Sequence, residues 1–232
     1  MSGQQIKISA SDGGKFDAYL ALSAAPSAPG IVMLHEIFGV TEWVMKTADL
    51  FAEHGFCVAV PDMFWRLEPN FVADFRDPEQ REKGIRHKKA IDHDKAMNDI
   101  AAVIASLKSM PECNGKVGVT GFCTGGTLTY LAAARLDIDA AVAYYGTQIH
   151  EFLDEGKNIT CPTVFHMGDK DDHVPPDLPD LIRATMIGMP NIAIYSYETG
   201  HAFAHTERLD HYSEAASQKA HARTFELFDE LR

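Results

Sequence analysis

The chain has 232 residues, of which 46% are hydrophobic and 23% charged, and its formal net charge is −12 at pH 7. This composition is typical of a globular protein, and the negative charge argues against nucleic acid or an anionic membrane as the main partner, since both would repel it. No apolar run approaches the roughly 20 residues that a membrane-spanning helix needs, so no such helix is expected.

The amino-terminal segment, MSGQQIKISASDGG, lacks the apolar core of a signal peptide. The cysteines are widely spaced and form no CxxC pair: Cys57, Cys113, Cys123 and Cys161. In a chain without an export signal such cysteines are expected to be reduced thiols. The sequence therefore predicts a cytoplasmic protein, and its length favours a single domain over residues 1–232.

The first half of the chain begins with two alternating segments around Asp12 to Lys15, which predict an antiparallel hairpin. Buried strands are predicted at IVMLHE and FCVAVPD, on either side of a helix from about Thr41 to His54 that Gly55 ends. Residues 63–77 are expected to be irregular, and residues 78–110 are polar at first and then helical.

The second half alternates more regularly between strands and helices. Strands are predicted at KVGVTGF, AAVAYYG, PTVFHMG and NIAIYSYE. Helices are predicted over about 125–136 and 176–188, with a final amphipathic helix from about Arg208. Alternation after an initial hairpin predicts an α/β fold with a mostly parallel central sheet, helices on both faces and the antiparallel hairpin at one edge.

Polar side chains follow several of these strands, and in such a sheet functional groups collect beyond the carboxyl ends of the strands. In chain order they are His35 and Glu36, then Cys123, then Asp169, Asp171 and Asp172, then His201. A nucleophile, an acid and a base therefore appear in the order Cys, Asp, His. Any of the three aspartates could be the acid.

The cysteine lies in GFCTGG, a pattern that matches the nucleophile elbow of the α/β-hydrolase fold with cysteine in place of serine. Small neighbours allow a tight strand-to-helix turn, and the start of the helix favours a thiolate and later an oxyanion. The alternative is a packing role for Cys123, which the following aspartate and histidine disfavour. Cys57 and Cys161, in or beside apolar strands, are expected in the core.

The eleven histidines raise the question of a metal ion. His201 and His205 have the i,i+4 spacing of a ligand pair, but there is no H-E-x-x-H motif and no carboxylate cluster that would complete a set. We expect no metal and no cofactor.

Seven segments together resemble the dienelactone hydrolase (carboxymethylenebutenolidase) family over nearly the whole chain. They are LHEIFGV, PDMFWR, QRE, GKVGVTGFCTGG, AVAYYG, FHMGDKDDHVP and YETGHAFAH. The resemblance implies a triad of Cys123, Asp171 and His201, and so separates Asp171 from its two neighbours. It also implies that Glu36 hydrogen-bonds the resting thiol until substrate displaces it.

The resemblance further implies an oxyanion hole made by the backbone N–H groups of Thr124 and Ile37, and a substrate carboxylate held by two arginines. Arg81, in the QRE segment, corresponds to the first arginine. The second position holds His205, which lacks the permanent bidentate fork of an arginine. Arg208 is a possible replacement whose spacing departs from the family pattern.

The sequence thus predicts hydrolysis of an activated, carboxylate-bearing, dienelactone-like ester or lactone through a thioester on Cys123. Two alternatives stay open. One is a carboxylesterase or thioesterase of broader specificity on the same fold, and the other is a redox-sensing thiol protein without hydrolase activity. The predicted partner is a small-molecule substrate, with neither nucleic acid nor membrane.

Overall fold

A computed structural model describes residues 3–232 of the chain. Their strands are β1 (Gln4–Ser9), β2 (Lys15–Ala21), β3 (Ala28–Leu34), β4 (Cys57–Pro61), β5 (Cys113–Phe122), β6 (Ala140–Tyr144), β7 (Thr163–Gly168) and β8 (Ile192–Tyr197). Their α-helices are α1 (Glu42–Glu53), α2 (Pro78–Ala90), α3 (His93–Ser109), α4 (Thr124–Arg135), α5 (Leu178–Thr185) and α6 (Glu214–Asp229). Two short 3-10 helices, Ile149–Glu151 and Leu153–Asn158, follow β6.

The strands form a mixed sheet in the order β1-β2-β4-β3-β5-β6-β7-β8. β1 pairs with β2 and β2 pairs with β4 in antiparallel fashion, whereas β3 with β4, β5 with β6, β6 with β7 and β7 with β8 are parallel pairs. The mostly parallel sheet with an antiparallel hairpin at one edge confirms the predicted fold class. In a sheet of this kind the loops at the carboxyl ends of the parallel strands are where a site is expected.

The described residues divide into two compact units, one of residues 3–117 with Arg232 and the other of residues 118–231. Strand β6, in the second unit, is buried at every position, as an apolar strand covered on both faces should be. The second unit carries Cys123, the three candidate aspartates and His201. The first carries Glu36, Ile37 and Arg81. The single-domain organisation remains a prediction.

Helix boundaries follow capping chemistry. Asp77 and Asp92 accept hydrogen bonds from backbone N–H groups in the first turns of α2 and α3, so the segment predicted to be polar and then helical contains two helices. The final helix begins at Glu214 and not near Arg208, because Ser213 caps it by accepting a hydrogen bond from Ala216 N–H. The residues before Ser213 form turns.

Across residues 3–232, no helix combines the length and the apolar character needed to cross a membrane.

Candidate active site

Cys123 occupies the turn between β5 and α4. Its φ of 56° and ψ of −113° lie outside the ordinary helix and strand regions, which is the strained geometry of a nucleophile elbow. Its backbone N–H donates to the carbonyl of Tyr144 at 3.1 Å, and its carbonyl accepts from Thr127 N–H at 3.2 Å. The side chain makes no capping hydrogen bond to the helix, and its sulfur lies 4.0 Å from the hydroxyl oxygen of Thr124, the first residue of α4.

The glycine after this turn is required by close backbone approach. A Cβ on Gly126 would overlap the carbonyl oxygen of Tyr144 and lie 3.1 Å from the Cα and N atoms of Gly146. Backbone atoms cannot move aside as the end of a flexible side chain can, so any larger residue would push α4 away from the end of β6. The last glycine of the GFCTGG pattern is therefore explained by packing.

Asp171 and His201 lie in the loops that follow β7 and β8, which pair side by side. Backbone hydrogen bonds tie the two loops together, from Asp169 N–H to the carbonyl of Tyr197 at 2.8 Å and from Lys170 N–H to the carbonyl of Thr199 at 2.9 Å. The loops bring Nδ1 of His201 to 2.7 Å from Oδ2 of Asp171. Both side chains are almost completely buried, with 2% and 1% exposed.

The protonation of His201 reflects its burial and two neighbours. Burial lowers the pKa of its imidazole, but a thiolate on Cys123 and the hydrogen bond to Asp171 together outweigh burial and raise the pKa to about 10. Within residues 3–232 the other ring nitrogen, Nε2, has no partner at ordinary hydrogen-bond length. A Cys123 thiolate therefore acts on His201 mainly through its charge and less through a hydrogen bond.

Two further residues touch His201 that the sequence prediction missed. The ring of Tyr145 meets the His201 ring edge to face, with 5.0 Å between centroids. The ring of His173 stacks on it at 4.3 Å with an interplanar angle of 19°. The signals were present in the sequence, because Tyr145 follows strand β6 directly and His173 lies two residues after Asp171.

Left-handed backbone conformations cluster around this centre. In the unit of residues 118–231, the non-glycine residues with positive φ are Cys123 (56°), Tyr145 (38°) and Ala202 (58°). Cys123 and Tyr145 follow neighbouring strands, and Ala202 follows His201. Such conformations cost on the order of 1 kcal/mol each for a residue with a Cβ, and this strain is concentrated beside the candidate reactive groups.

A buried hydrogen-bond chain holds β6, β7 and β8 to helix α6. Thr224 donates its hydroxyl proton to the helix backbone at 2.9 Å, so it accepts from the hydroxyl of Tyr144 at 2.6 Å and from Nε2 of His166 at 3.2 Å. Nδ1 of His166 then accepts from Tyr197 at 2.9 Å, and Tyr197 accepts from Arg223 at 3.0 Å. Burial keeps the pKa of His166 well below its usual value, which fits this neutral tautomer.

Glu36 and Ile37 follow β3 and are buried, with 4% and 9% exposed. His35 fixes their backbone: its Nε2 accepts from Met63 N–H at 3.0 Å, so its Nδ1 carries the proton and donates to the carbonyl of Glu36 at 2.6 Å. Helix α2 packs so closely here that a Cβ on Gly84 would overlap the carbonyl of Ile37. The segment is therefore held rigidly within its own unit.

The residues predicted to read a substrate carboxylate differ in their settings. Arg81 is exposed in the first turn of α2. His205 is buried, and its carbonyl accepts from Arg208 N–H at 3.0 Å. Burial and the nearby positive charge of Arg208, itself buried, lower the pKa of His205 to about 3. His205 is thus a neutral imidazole at physiological pH.

Three side chains near the centre could offer ligands to a metal ion. One ligand atom from each of Asp171, His173 and His201 lies within 4.8 Å of the others. The two imidazoles are nearly parallel, however, and the lone pair of each ring nitrogen lies in its ring plane. Because the planes of the two rings are nearly parallel, their lone pairs cannot both be directed at one ion. A nitrogen from each ring could bind the same ion at 2.0–2.1 Å only if one ring rotated. The arrangement suits proton transfer better than metal binding.

Comparison with known proteins is consistent with this geometry. The model of the Dienelactone hydrolase family matches residues 16–232. Carboxymethylenebutenolidase 1 of Cupriavidus pinatubonensis is 33% identical over 232 residues, covering 100% of this chain and 99% of the relative. Carboxymethylenebutenolidase of Pseudomonas putida is 34% identical over 218 residues, covering 94% and 92%.

Solved structures show the same fold. A candidate dienelactone hydrolase from Klebsiella pneumoniae superimposes with a TM-score of 0.85 at 24% identity, covering 99% of both chains. An esterase from Pyrococcus furiosus gives a TM-score of 0.74 at 15% identity, covering 99% of this chain and 92% of the other.

The fold is that of the α/β hydrolases, as the sequence predicted, and the chain is a hydrolase of ester or lactone bonds. It belongs to the dienelactone hydrolase family.

Proposed function

We propose that the chain hydrolyses an activated, carboxylate-bearing ester or lactone through a thioester on Cys123, with His201 as base and Asp171 as the residue that orients it. The observation that carries the proposal is the buried 2.7 Å hydrogen bond between His201 and Asp171, together with a pKa of His201 that Cys123 helps to raise. A thiolate nucleophile, a base and an orienting acid are what acyl transfer requires.

In the first half of the reaction the Cys123 thiolate attacks the substrate carbonyl carbon. A C–S bond forms, and the carbonyl electron pair moves to oxygen. Collapse of this tetrahedral species breaks the bond to the leaving oxygen, which departs as an enolate or alkoxide and takes the proton of His201, leaving that imidazole neutral. A leaving group of low basicity suits this site, because a thiolate leaves readily and would otherwise depart first.

In the second half, neutral His201 removes a proton from water, and the water oxygen attacks the thioester carbon. Collapse breaks the C–S bond, releases the carboxylic acid and restores the thiolate beside protonated His201. The N–H of Thr124, in the first turn of α4, and the N–H of Ile37 are the proposed donors to the oxyanion. The first N–H groups of a helix have no intrahelical acceptor.

Glu36 belongs to the same proposal as a carboxylate that delays ionisation of the thiol until substrate binds. Glu36→Gln removes the negative charge and keeps the shape of the side chain. We expect the variant to be alkylated faster by iodoacetamide in the absence of substrate, because a carboxylate disfavours a second negative charge nearby. An unchanged alkylation rate would contradict this role.

The cytoplasmic location predicted from the sequence is also part of the proposal.

Acylation of Cys123 is tested by intact mass measurement during turnover of a slowly hydrolysed enol lactone. Wild type is expected to gain the mass of the acyl group, and Cys123→Ala is expected to gain nothing and to lose nearly all turnover. Cys113→Ala is the matched control, since Cys113 is a more exposed thiol than Cys123. An adduct of equal yield on Cys123→Ala would overturn the proposed mechanism.

The substrate carboxylate is tested by comparing a carboxylated lactone with a neutral aryl ester. We expect Arg81→Ala to lose selectivity for the carboxylated substrate, and Arg86→Ala, another exposed arginine of α2 in contact with Glu82, to keep it. Equal selectivity in wild type and Arg81→Ala would favour a carboxylesterase or thioesterase of broader specificity. The neutral state of His205 favours that second candidate, because a neutral imidazole offers a carboxylate one hydrogen bond and no charge.

A further inference from the structure

Two histidine–aspartate pairs lie side by side with their imidazole rings stacked. The histidine of one pair is His201, the proposed base. His201 is hydrogen-bonded to Asp171 at 2.7 Å. His173 is paired in the same way with Asp172, the residue before it, since its Nδ1 lies 2.8 Å from Oδ1 of Asp172. The two imidazoles lie 4.3 Å apart and nearly parallel. One is the proposed base, and the proposed reaction does not use the other.

The pairs differ in their exposure to solvent. The side chains of His201 and Asp171 are 2% and 1% exposed, whereas those of His173 and Asp172 are 32% and 85% exposed. The inner pair, His201 and Asp171, is shielded from the solvent, whereas the outer pair, His173 and Asp172, can exchange protons with the solvent. The outer histidine is also anchored to the inner pair, because its backbone N–H donates to Oδ1 of Asp171 at 2.8 Å.

We propose that His173 is a positioning residue of the reaction and a sensor of acid. When His173 is neutral, the face of its ring stabilises the protonated ring of His201 and holds it against Asp171. When His173 is protonated, its positive charge repels that of His201 and the reaction slows. This inference rests on the proposed function, because it assigns His201 the role of base.

The charges that face His173 come from its own loop and from the loop after β8. They include Asp172, Asp171 (Oδ1 at 3.8 Å from Nδ1) and His201. Partial burial and the positive charge of His201 lower the pKa of His173, and the two aspartates raise it by a smaller amount. His173 is therefore neutral at neutral pH and gains a proton only in acid.

The neutral and charged rings have opposite effects on His201. A cation over the face of an aromatic ring is attracted to it, so neutral His173 favours the protonated form of His201 and strengthens it as a base. Two cationic rings at the same separation repel each other. The rate should then fall in acid at the pH where His173 becomes protonated, in addition to any loss from the titration of other groups.

The test compares kcat and KM from pH 5 to 8 for wild type and four variants, within the range where circular dichroism shows each to be folded. His173→Phe keeps a stacked ring that cannot be protonated. We expect its kcat at pH 7.5 to lie within about twofold of wild type, and its relative loss at pH 5 to be about threefold to tenfold smaller. His173→Ala loses the stack, so its kcat at pH 7.5 should fall about threefold to tenfold with little change in KM.

Asp172→Asn tests the sensor without changing the stacked rings. The variant removes a group that raises the pKa of His173, so the loss of activity in acid should move to lower pH. Asp169→Asn is the matched control, because Asp169 is an exposed carboxylate of the same loop, and its pH profile should follow wild type. A shift of equal size in both variants would overturn the sensor and indicate a general charge effect.

Superimposable pH profiles for wild type and His173→Phe would overturn the sensor as well. Equal losses of kcat at pH 7.5 in His173→Phe and His173→Ala would overturn the positioning role of the ring. Failure of the underlying function gives a different result, because Cys123→Ala would then carry an acyl group as wild type does, whatever the His173 variants show.

Discussion

The carbonyl oxygen of Tyr144 accepts a hydrogen bond from the backbone N–H of Cys123 at 3.1 Å, so the end of strand β6 holds the turn that carries the sulfur. The same oxygen lies where a side chain on Gly126 would have to be. The carbonyl of Tyr144 therefore holds the backbone of Cys123 in place and also leaves no room for a side chain at position 126.

We expect Gly126→Ala to lower the free energy of unfolding by about 1–3 kcal/mol, as overpacking of a close contact does, and to reduce kcat by moving the turn. Gly200→Ala is the control. Gly200 directly precedes His201, but a Cβ there would meet only the carbonyl of Lys170, at 3.6 Å, so we expect a change within about 0.5 kcal/mol. Urea unfolding measures both, and equal destabilisation of the two variants would contradict the packing argument.

Asp171→Asn should reduce kcat by a factor on the order of 10²–10⁴ with a smaller effect on KM, because an amide can present its NH₂ group to His201 and hold the wrong tautomer. Asp169→Asn changes an exposed carboxylate of the same loop and should remain close to wild type. Steady-state kinetics on one enol lactone distinguish them. If the two variants were equally active, Asp171 would not orient the base.

The ring of His201 should remain protonated well above neutral pH whenever Cys123 is a thiolate. Burial lowers the pKa of His201, but a Cys123 thiolate and Asp171 outweigh burial and raise it to about 10. In Glu36→Gln, where no carboxylate opposes ionisation of the thiol, the His201 NMR resonances should therefore titrate near pH 10. Adding Cys123→Ala to this variant removes the negative charge, and the titration should move to lower pH. A titration of Glu36→Gln near pH 6.5, the ordinary value for histidine, would contradict the charge interaction with the sulfur.

His205 should make the protein sensitive to acid. Its pKa is about 3 in the folded state and ordinary, near 6.5, in the unfolded chain, so below pH 6.5 the unfolded state binds a proton that the folded state does not. The stability that neutral His205 contributes is complete above pH 6.5 and is lost as the pH falls toward 3. Between pH 6.5 and 4.5 this amounts to about 2 kcal/mol.

His205→Asn removes this titration, so its free energy of unfolding should depend less on pH over the same interval. Some dependence should remain, because the pKa of buried His166 is also well below its usual value. His54→Gln, at an exposed histidine after α1, serves as the control. Parallel curves for His205→Asn and wild type would show that His205 is protonated to the same extent in both states.

The sequence was sufficient to predict the sheet and the loops that carry the candidate site. Apolar runs such as VAV in β4 and AAVA in β6 have a clear signal because strands covered on both faces contain few polar residues, and both are fully buried. Helix α6 was placed six residues too early. Its start depends on one hydroxyl, that of Ser213, and an amphipathic pattern does not locate a cap.

Within the site, the order of Cys123, Asp171 and His201 at strand ends could be read from the chain, but the contacts of Tyr145 and His173 with the His201 ring could not. Both contacts depend on loop conformation: Tyr145 has a φ of 38° that no sequence pattern demands, and His173 stacks only because its loop is bonded to the loop after β8. The neutral state of His205 likewise depends on burial beside Arg208, which residue spacing does not reveal.

The left-handed backbone at Cys123, Tyr145 and Ala202 has a consequence for selecting more heat-resistant forms of this hydrolase. Glycine adopts such conformations without a Cβ clash, so a screen that rewards thermal survival alone will favour glycine where the side chain lost is small, as at Cys123 and Ala202. At Cys123 that replacement deletes the sulfur. At Tyr145 the fully buried ring, which touches His201, opposes the replacement because its loss would leave a cavity. Laboratory evolution for heat tolerance must therefore retain a selection for turnover, or it will remove the features that the strain serves.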